Sequence, residues 1–76
     1  MTSKTQTLMI WVNEQTDPSG IIYSCIACVD EGQAQDCHRS FQENLSEDQK
    51  AAGWVAQIRT VETWEEVPVN ALKLSY

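Results

Sequence analysis

The sequence predicts a small α+β domain, in which a three-stranded antiparallel meander is followed by one amphipathic helix packed on the sheet and a short C-terminal strand (β-β-β-α-β). Two apolar runs rich in β-branched and aromatic residues lie in the first half of the chain. A capped segment with apolar residues at helical spacing follows in the second half. The 76 residues suit one domain, so we expect a single domain over residues 1–76.

The first predicted strand covers residues 7–13, which are rich in apolar side chains and too few for a typical helix. A turn is predicted at residues 17–20, because Asp17 and Gly20 occupy positions that these residue types prefer in a type I turn. The second predicted strand covers residues 21–29. Its apolar side chains alternate onto both faces, as in a central strand.

The third strand is predicted at residues 33–42, returning after a turn at residues 30–32. Gly32 is available for the positive φ that such a turn uses. The segment is mostly polar, which is typical of an edge strand. In this hairpin register Cys25 lies opposite Cys37.

The helix is the most strongly indicated element, with Ser46 as its N-cap and Arg59 near its C-terminal end. Gln49 completes a capping-box pattern with Ser46. The apolar residues that follow have the i, i+3, i+4, i+7 spacing of one buried stripe, and they are Ala51, Trp54, Val55 and Ile58.

Pro68 prevents this helix from continuing, because its ring removes a donor and clashes with the preceding turn. Apolar alternation resumes at Val69, and it places Leu72, Leu74 and Tyr76 on one face of a short closing strand. Joined by a right-handed crossover, this strand is expected to lie parallel to the first one.

The charge balance points away from two classes of partner. Eleven acidic residues against five basic ones give a formal charge of −6. Nucleic acid and anionic membranes both bind through basic side chains, so neither is an expected partner. A basic protein surface is the natural complement, although negative charge also serves solubility alone.

The N-terminal segment carries no targeting signal that we recognise. The first seven residues are polar, and the apolar run at residues 8–12 is five residues long. A secretory core needs about 7–15 apolar residues and a membrane span about 20. We therefore expect a soluble protein in the cytoplasm of the producing cell or of a host cell.

Four residues raise the question of zinc, which takes Cys and His ligands: Cys25, Cys28, Cys37 and His38. On extended strands, residues three apart or adjacent point to opposite faces, so these side chains do not converge. We expect buried, reduced thiols and neither metal nor cofactor. A small zinc-binding protein using these four residues stays an alternative.

Catalysis is not indicated by the remaining residues. His38, the one histidine, shares its predicted strand face with Asp36 and Ser40, and side chains so placed point outward in parallel. The three glycines form no phosphate-binding loop. We therefore expect a protein that is not an enzyme.

The candidate partner-binding residues are a tryptophan with its neighbouring carboxylates and an acidic pair in the predicted turn. Tryptophan is a frequent interface anchor, and an acidic rim attracts a basic partner. The six residues are Trp64, Glu62, Glu65, Glu66, Asp30 and Glu31. In the alternative arrangement, Trp64 folds back onto the core and its carboxylates are merely solvated.

A second docking surface is suggested by the predicted sheet, since the first strand is apolar on both faces and one helix covers only one of them. An exposed apolar face indicates a partner or a dimer. Alternatively, the loop at residues 13–20 and the segment around Trp64 cover it.

The sequence favours a small acidic protein-binding module that inhibits or modulates a larger protein with a basic, nucleic-acid-handling surface. In size, acidity and lack of catalytic groups it is similar in general character to small phage inhibitors of host defence, anti-CRISPR proteins among them. That likeness rests on no motif and assigns the chain to no family. A homodimeric or complex subunit with a structural role is the first alternative.

Overall fold

A computed structural model describes residues 9–74 and confirms the α+β class. Four strands form one mixed sheet in the order β3-β1-β2-β4. The interior strands are β1 and β2; β1 is antiparallel to β2 and β3, and β4 is parallel to β2. The elements are β1 (Ile10–Thr16), β2 (Ile22–Cys28), α1 (Glu31–Asn44), α2 (Glu47–Ala52), β3 (Val55–Val61), a 3-10 turn (Trp64–Glu66) and β4 (Leu72–Leu74).

The first predicted strand exists but is displaced along the chain. Its last four residues, 10–13, begin β1, which continues to Thr16, whereas residues 7 and 8 lie outside the described residues. The turn that follows is confirmed, since the Gly20 amide donates to the Asp17 carbonyl at 3.0 Å. The Asp17 carboxylate accepts from the amides of Ser19 and Ile21 at 2.9 Å each, which fixes the turn.

The predicted third strand at residues 33–42 is wrong, because this segment lies within helix α1. Asp30 caps the helix by accepting from the Gln33 amide at 2.7 Å, so residues 30–32 start a helix instead of a hairpin turn. Gly32 accordingly lacks positive φ. The meander is therefore absent. The residues of α1 and its C-cap that are withdrawn from solvent follow a helical repeat: Gln33, Ala34, Cys37, His38, Phe41 and Leu45.

The predicted helix begins as expected and ends early. Its capping box is present, with Ser46 and Gln49 each accepting from the other's backbone amide at 3.0 and 2.9 Å. Gly53 then terminates α2 in the left-handed region, at φ 109°. The rest of the predicted helix forms β3, so the expected apolar stripe is wrong.

A short closing strand is confirmed at Leu72–Leu74, but its expected neighbour is wrong. The strand pairs in parallel with β2 and is not hydrogen-bonded to β1. Val69 lies before the strand and is 95% exposed. Tyr76 lies outside the described residues.

The sheet has two differently built faces, and neither leaves β1 bare. On the hydrophobic face, Ile10 and Val12 of β1 form a core that the segment after β3 covers. On the helix face, Asn13 and Gln15 of β1 contact α1. The buried residues of the hydrophobic face are Ile10, Val12, Cys25, Ala27, Val61 and Val67, with Ile22, Trp64 and Ala71 packed against them.

Candidate functional site

The strand topology collects acidic residues at one end of the sheet. Strands β2 and β3 flank β1 and both run antiparallel to it, so both finish beside the start of β1. Cys28 at the end of β2 pairs with Trp11, and Val61 at the end of β3 pairs with Ile10. These two strand ends are about 10 Å apart, which is two strand spacings. The carboxylates that follow them form what we call the acidic end: Asp30, Glu31, Glu62, Glu65 and Glu66.

Two of these carboxylates hold local structure. Asp30 caps α1. Glu66 accepts hydrogen bonds from the amide and hydroxyl of Thr63 at 3.2 and 3.1 Å, which fixes the loop after β3. The other three side chains, on Glu31, Glu62 and Glu65, are exposed. They are the members of the acidic end that are free to meet a partner.

The negative charge of the acidic end is not neutralised by ion pairs within residues 9–74. Three basic side chains pair elsewhere: Arg39 with Asp36, Lys50 with Glu47, and Arg59 with Glu14. Lys73, on β4, forms no ion pair with a described carboxylate. The charge of the acidic end therefore remains available for a partner.

Trp64 lies between these carboxylates, but its ring is half-buried and packs against the core of the hydrophobic face. It therefore covers that core, as in the alternative arrangement considered for this residue. The 3-10 turn that begins at Trp64 presents Glu65 to solvent and points Glu66 back to Thr63. Trp64 thus fixes the position of the neighbouring carboxylates.

A buried ion pair that the sequence did not reveal lies on the hydrophobic face. Glu14, with its side chain 3% exposed, binds Arg59 through both oxygens, at 3.3 Å to Nε and 3.2 Å to Nη2. Gln57 donates to the same carboxylate at 3.3 Å. Hydrogen bonding to Glu14 is the main cause that raises the pKa of Arg59, and the charge of Glu66 adds to it. The pair fixes β3 against β1.

The three thiols lie on both sides of the sheet. Cys25 pairs with Glu14 and faces the hydrophobic core, whereas Cys28 pairs with Trp11 and faces the helix side, as strand spacing predicts. Cys37 was expected on a strand and instead lies on α1, so the expected pairing of Cys25 with Cys37 is wrong. Within residues 9–74, no group of three Cys, His, Asp or Glu side chains is arranged to hold a metal ion.

Burial sets the chemistry of these thiols. It raises the pKa of all three, on Cys25, Cys28 and Cys37, and the charge of Glu14 adds to the effect at Cys25. Because the thiolate is the nucleophilic form, raised pKa values lower the reactive fraction of these side chains at neutral pH. Cys25 and Cys28 are core residues, and Cys37 is half-buried on α1.

The three residues considered as a catalytic group, Asp36, His38 and Ser40, do not lie on one side of α1. His38 is half-buried on the side of α1 that faces the sheet, while Asp36 and Ser40, which are one helical turn apart, are exposed on the opposite side. Asp36 pairs with Arg39 at 3.2 Å. His38 Nδ1 is buried without a hydrogen-bond partner among the described residues. The three side chains therefore do not form a site.

A shallow groove of about 390 Å³ lies where β3 begins. One wall is Trp54, whose ring packs edge-to-face on Tyr23 with centroids 4.9 Å apart. Lys50 contributes the one positive charge among the residues that line it. The lining residues are Gln42, Leu45, Lys50, Trp54, Val55 and Ala56.

None of the helices within residues 9–74 has the length and apolar composition needed to cross a membrane. No protein-family model matches the chain, and neither a curated protein nor a solved structure is significantly similar to it.

Proposed function

We propose that this chain is a small acidic protein-binding module that inhibits or modulates a larger protein by occupying a basic surface with its acidic end. One observation carries the proposal. The sheet topology brings carboxylates from two distant segments, after β2 and after β3, to one end of the domain, where no described basic side chain pairs with them.

The electrostatics favour a partner of opposite charge. The chain carries a formal charge of −6, so its field attracts basic surfaces over a distance of about one Debye length. Clustered carboxylates on a fixed scaffold add local complementarity to that long-range attraction. A surface that binds nucleic acid is rich in Lys and Arg, so it offers the complement that the acidic end requires.

Occupying such a surface competes with nucleic acid for the same basic side chains. This accounts for the expected inhibitory or modulatory role, which needs binding and no catalytic step. Small phage inhibitors, anti-CRISPR proteins among them, remain a likeness in general character. Recognition is assigned to the exposed carboxylates Glu31, Glu62 and Glu65, and Trp64 is assigned the role of holding their loop against the core.

The test is a pair of charge-reversal variants with equal net charge. Glu31→Lys combined with Glu65→Lys reverses the acidic end, while Glu43→Lys combined with Asp48→Lys reverses two exposed carboxylates on α1 and α2. The wild-type chain and both double variants are immobilised and used to capture proteins from lysates of the cell of origin or of its host. The captured protein is then purified and titrated at several salt concentrations.

We expect the acidic-end variant to bind the partner roughly tenfold or more weakly and to lose much of its salt dependence. The control variant keeps most of its affinity, because it has the same net charge and an intact acidic end. Equal losses in both variants would assign binding to net charge alone. An unchanged affinity in the acidic-end variant would remove this site from consideration.

A further inference from the structure

The two edges of the sheet differ in how they are protected. The β4 edge is three residues long and carries Lys73. The β3 edge is seven residues long, contains neither proline nor acidic residue, and has no strand beyond it within residues 9–74. Its one charged residue, Arg59, is bound to Glu14. Folded proteins usually protect a long edge with charges, proline, a bulge or a covering segment, and an unprotected edge is a template for another strand.

We propose that a second copy of this chain pairs with the β3 edge, antiparallel and two-fold symmetric about Ile58, so that the four strands of each copy join into one eight-stranded sheet. This register pairs all seven residues of β3. Val55 then lies opposite Val61 of the second copy, and Ile58 lies opposite its own counterpart. The inference does not depend on the proposed function.

Charge complementarity along the β3 edge supports pairing with a second copy. In the two-fold register, Arg59 lies opposite Gln57 of the second copy, so no like charges face each other. One step beyond the strand, Trp54 lies opposite Glu62 of the second copy. Lys50 lines the groove with Trp54, and its ion pair with Glu47 is long, at 3.8 Å, and exposed. Glu62 of the second copy therefore meets Lys50, and the symmetry makes this contact twice.

The groove accommodates the end of the incoming strand. Ala56 and Trp54 lie on the helix face at the start of β3, and both line the groove. Thr60 and Glu62 of the second copy occupy the same face by the alternation of the pleat. The same symmetry places the two acidic ends at opposite ends of the paired strands, about 20 Å apart by strand rise. Glu31 and Glu65 stay open to a partner, whereas Glu62 lies in the interface, so in the dimer the recognition assigned to the acidic end passes to Glu31 and Glu65.

The first experiment is sedimentation equilibrium of the full chain over a series of concentrations, with Gln57→Lys as the disrupting variant. A lysine at this position still reaches Glu14 within its own chain, but it faces Arg59 of the second copy. We expect the wild-type chain to show a monomer–dimer equilibrium and the variant to have a dimer dissociation constant raised about tenfold or more. Gln35→Lys, on the exposed side of α1, is the matched control and leaves the constant unchanged.

The second experiment exchanges charges across the interface. Lys50→Glu and Glu62→Lys each place like charges together, so we expect each to raise the dissociation constant several-fold, since exposed pairs contribute little individually. The double variant restores opposite charges and is expected to return the constant toward the wild-type value. Circular dichroism and a denaturant titration check that every variant is folded.

Hydrogen exchange locates the interface. Protection of β3 amides is expected to rise with protein concentration, while that of β4 amides stays constant. A single monomeric species throughout the series overturns the proposal. So does a dimer that is insensitive to Gln57→Lys, or a double variant no better than the single ones.

Discussion

The two faces of strand β1 are covered by different physical means. The hydrophobic face buries Ile10 and Val12 completely against apolar side chains. The helix face instead presents amides, with Asn13 Nδ2 donating to the Ala34 carbonyl at 3.1 Å and Gln15 Nε2 donating to the Phe41 carbonyl at 2.8 Å. On the hydrophobic face β1 thus buries apolar side chains, with Glu14 as the exception, whereas the side chains that bind α1 are polar.

The two kinds of contact have different consequences: apolar burial stabilises the fold, and hydrogen bonds orient the helix. Apolar burial stabilises in proportion to area and has no preferred direction. A hydrogen bond contributes only about 0.5–1.5 kcal/mol net, but it is directional. Two amides that contact carbonyls seven residues apart on α1 fix both the position and the axis of the helix. We infer that the hydrophobic face supplies most of the stability and the helix face aligns α1 on the sheet.

The largest expected effect is on the hydrophobic face. Ile10 is 0% exposed, and Ile10→Ala leaves a cavity between β1 and the segment after β3. We expect the free energy of unfolding to fall by about 2–5 kcal/mol. A domain of this size is stabilised by only about 3–5 kcal/mol, so we expect the variant to be largely unfolded even without urea. A urea titration of the wild-type chain and the variant measures the difference.

Asn13→Ala is the matched variant on the helix face, since Asn13 is also 0% exposed. It removes the bond to Ala34 and should cost less than Ile10→Ala, about 1–3 kcal/mol. Hydrogen exchange in α1 should increase more than exchange in the β1–β3 ladder. A cost equal to that of Ile10→Ala, with uniform loosening, would contradict the division between the two faces.

The next largest loss of stability is expected at the ion pair between Glu14 and Arg59, which lies among the apolar side chains of the hydrophobic face. Arg59→Met leaves the Glu14 carboxylate buried with only Gln57 as its side-chain donor. Removing one partner of a buried pair costs about 3–5 kcal/mol, and because the Arg59 side chain is 43% exposed we expect about 2 kcal/mol. A urea titration measures it.

Its control is Glu14→Gln combined with Arg59→Met, which removes the uncompensated charge. We expect the double variant to be more stable than Arg59→Met alone, because a neutral amide is cheaper to bury than an unpaired carboxylate. If the double variant is the less stable of the two, the cost of Arg59→Met comes from lost packing of the side-chain stem instead.

Local sequence predicted the class, three of the four strands (β1, β2 and β4) and the start of α2, but it assigned two segments the wrong way round. Residues 33–42 contain no β-branched residue, and Asp30 with Gln33 matches an N-cap pattern, so a helix was predictable there. The segment Val55–Val61 has four β-branched residues and follows Gly53, a typical helix terminator. The spacing of Ala51, Trp54, Val55 and Ile58 satisfied the helical repeat by coincidence.

Strand order could not be predicted in the same way, because it depends on pairings between distant segments. The acidic end exists because β1 is central and its two neighbours both run against it. A sequence pattern shows Glu31 and Glu65 as separate residues in separate segments, and only the register shows that the strands before them end at the same end of the sheet. The same holds for Glu14, whose partner Arg59 is 45 residues away.

The smallest expected effect is a dependence of stability on alkaline pH. It involves both faces, because thiols withdrawn from solvent lie on each of them. Burial raises the pKa of Cys25 on the hydrophobic face and of Cys28 and Cys37 on the helix side above the ordinary value of 9.0. At alkaline pH the unfolded chain therefore loses thiol protons that the folded chain retains, which favours unfolding. Stability from these groups is fully present below the unfolded pKa and is lost as the pH rises through the folded values. We expect Cys25→Ala and Cys28→Ala each to flatten the decline in the free energy of unfolding between neutral pH and about pH 10, measured by urea titration. A decline as steep as in the wild-type chain would show that other groups cause it.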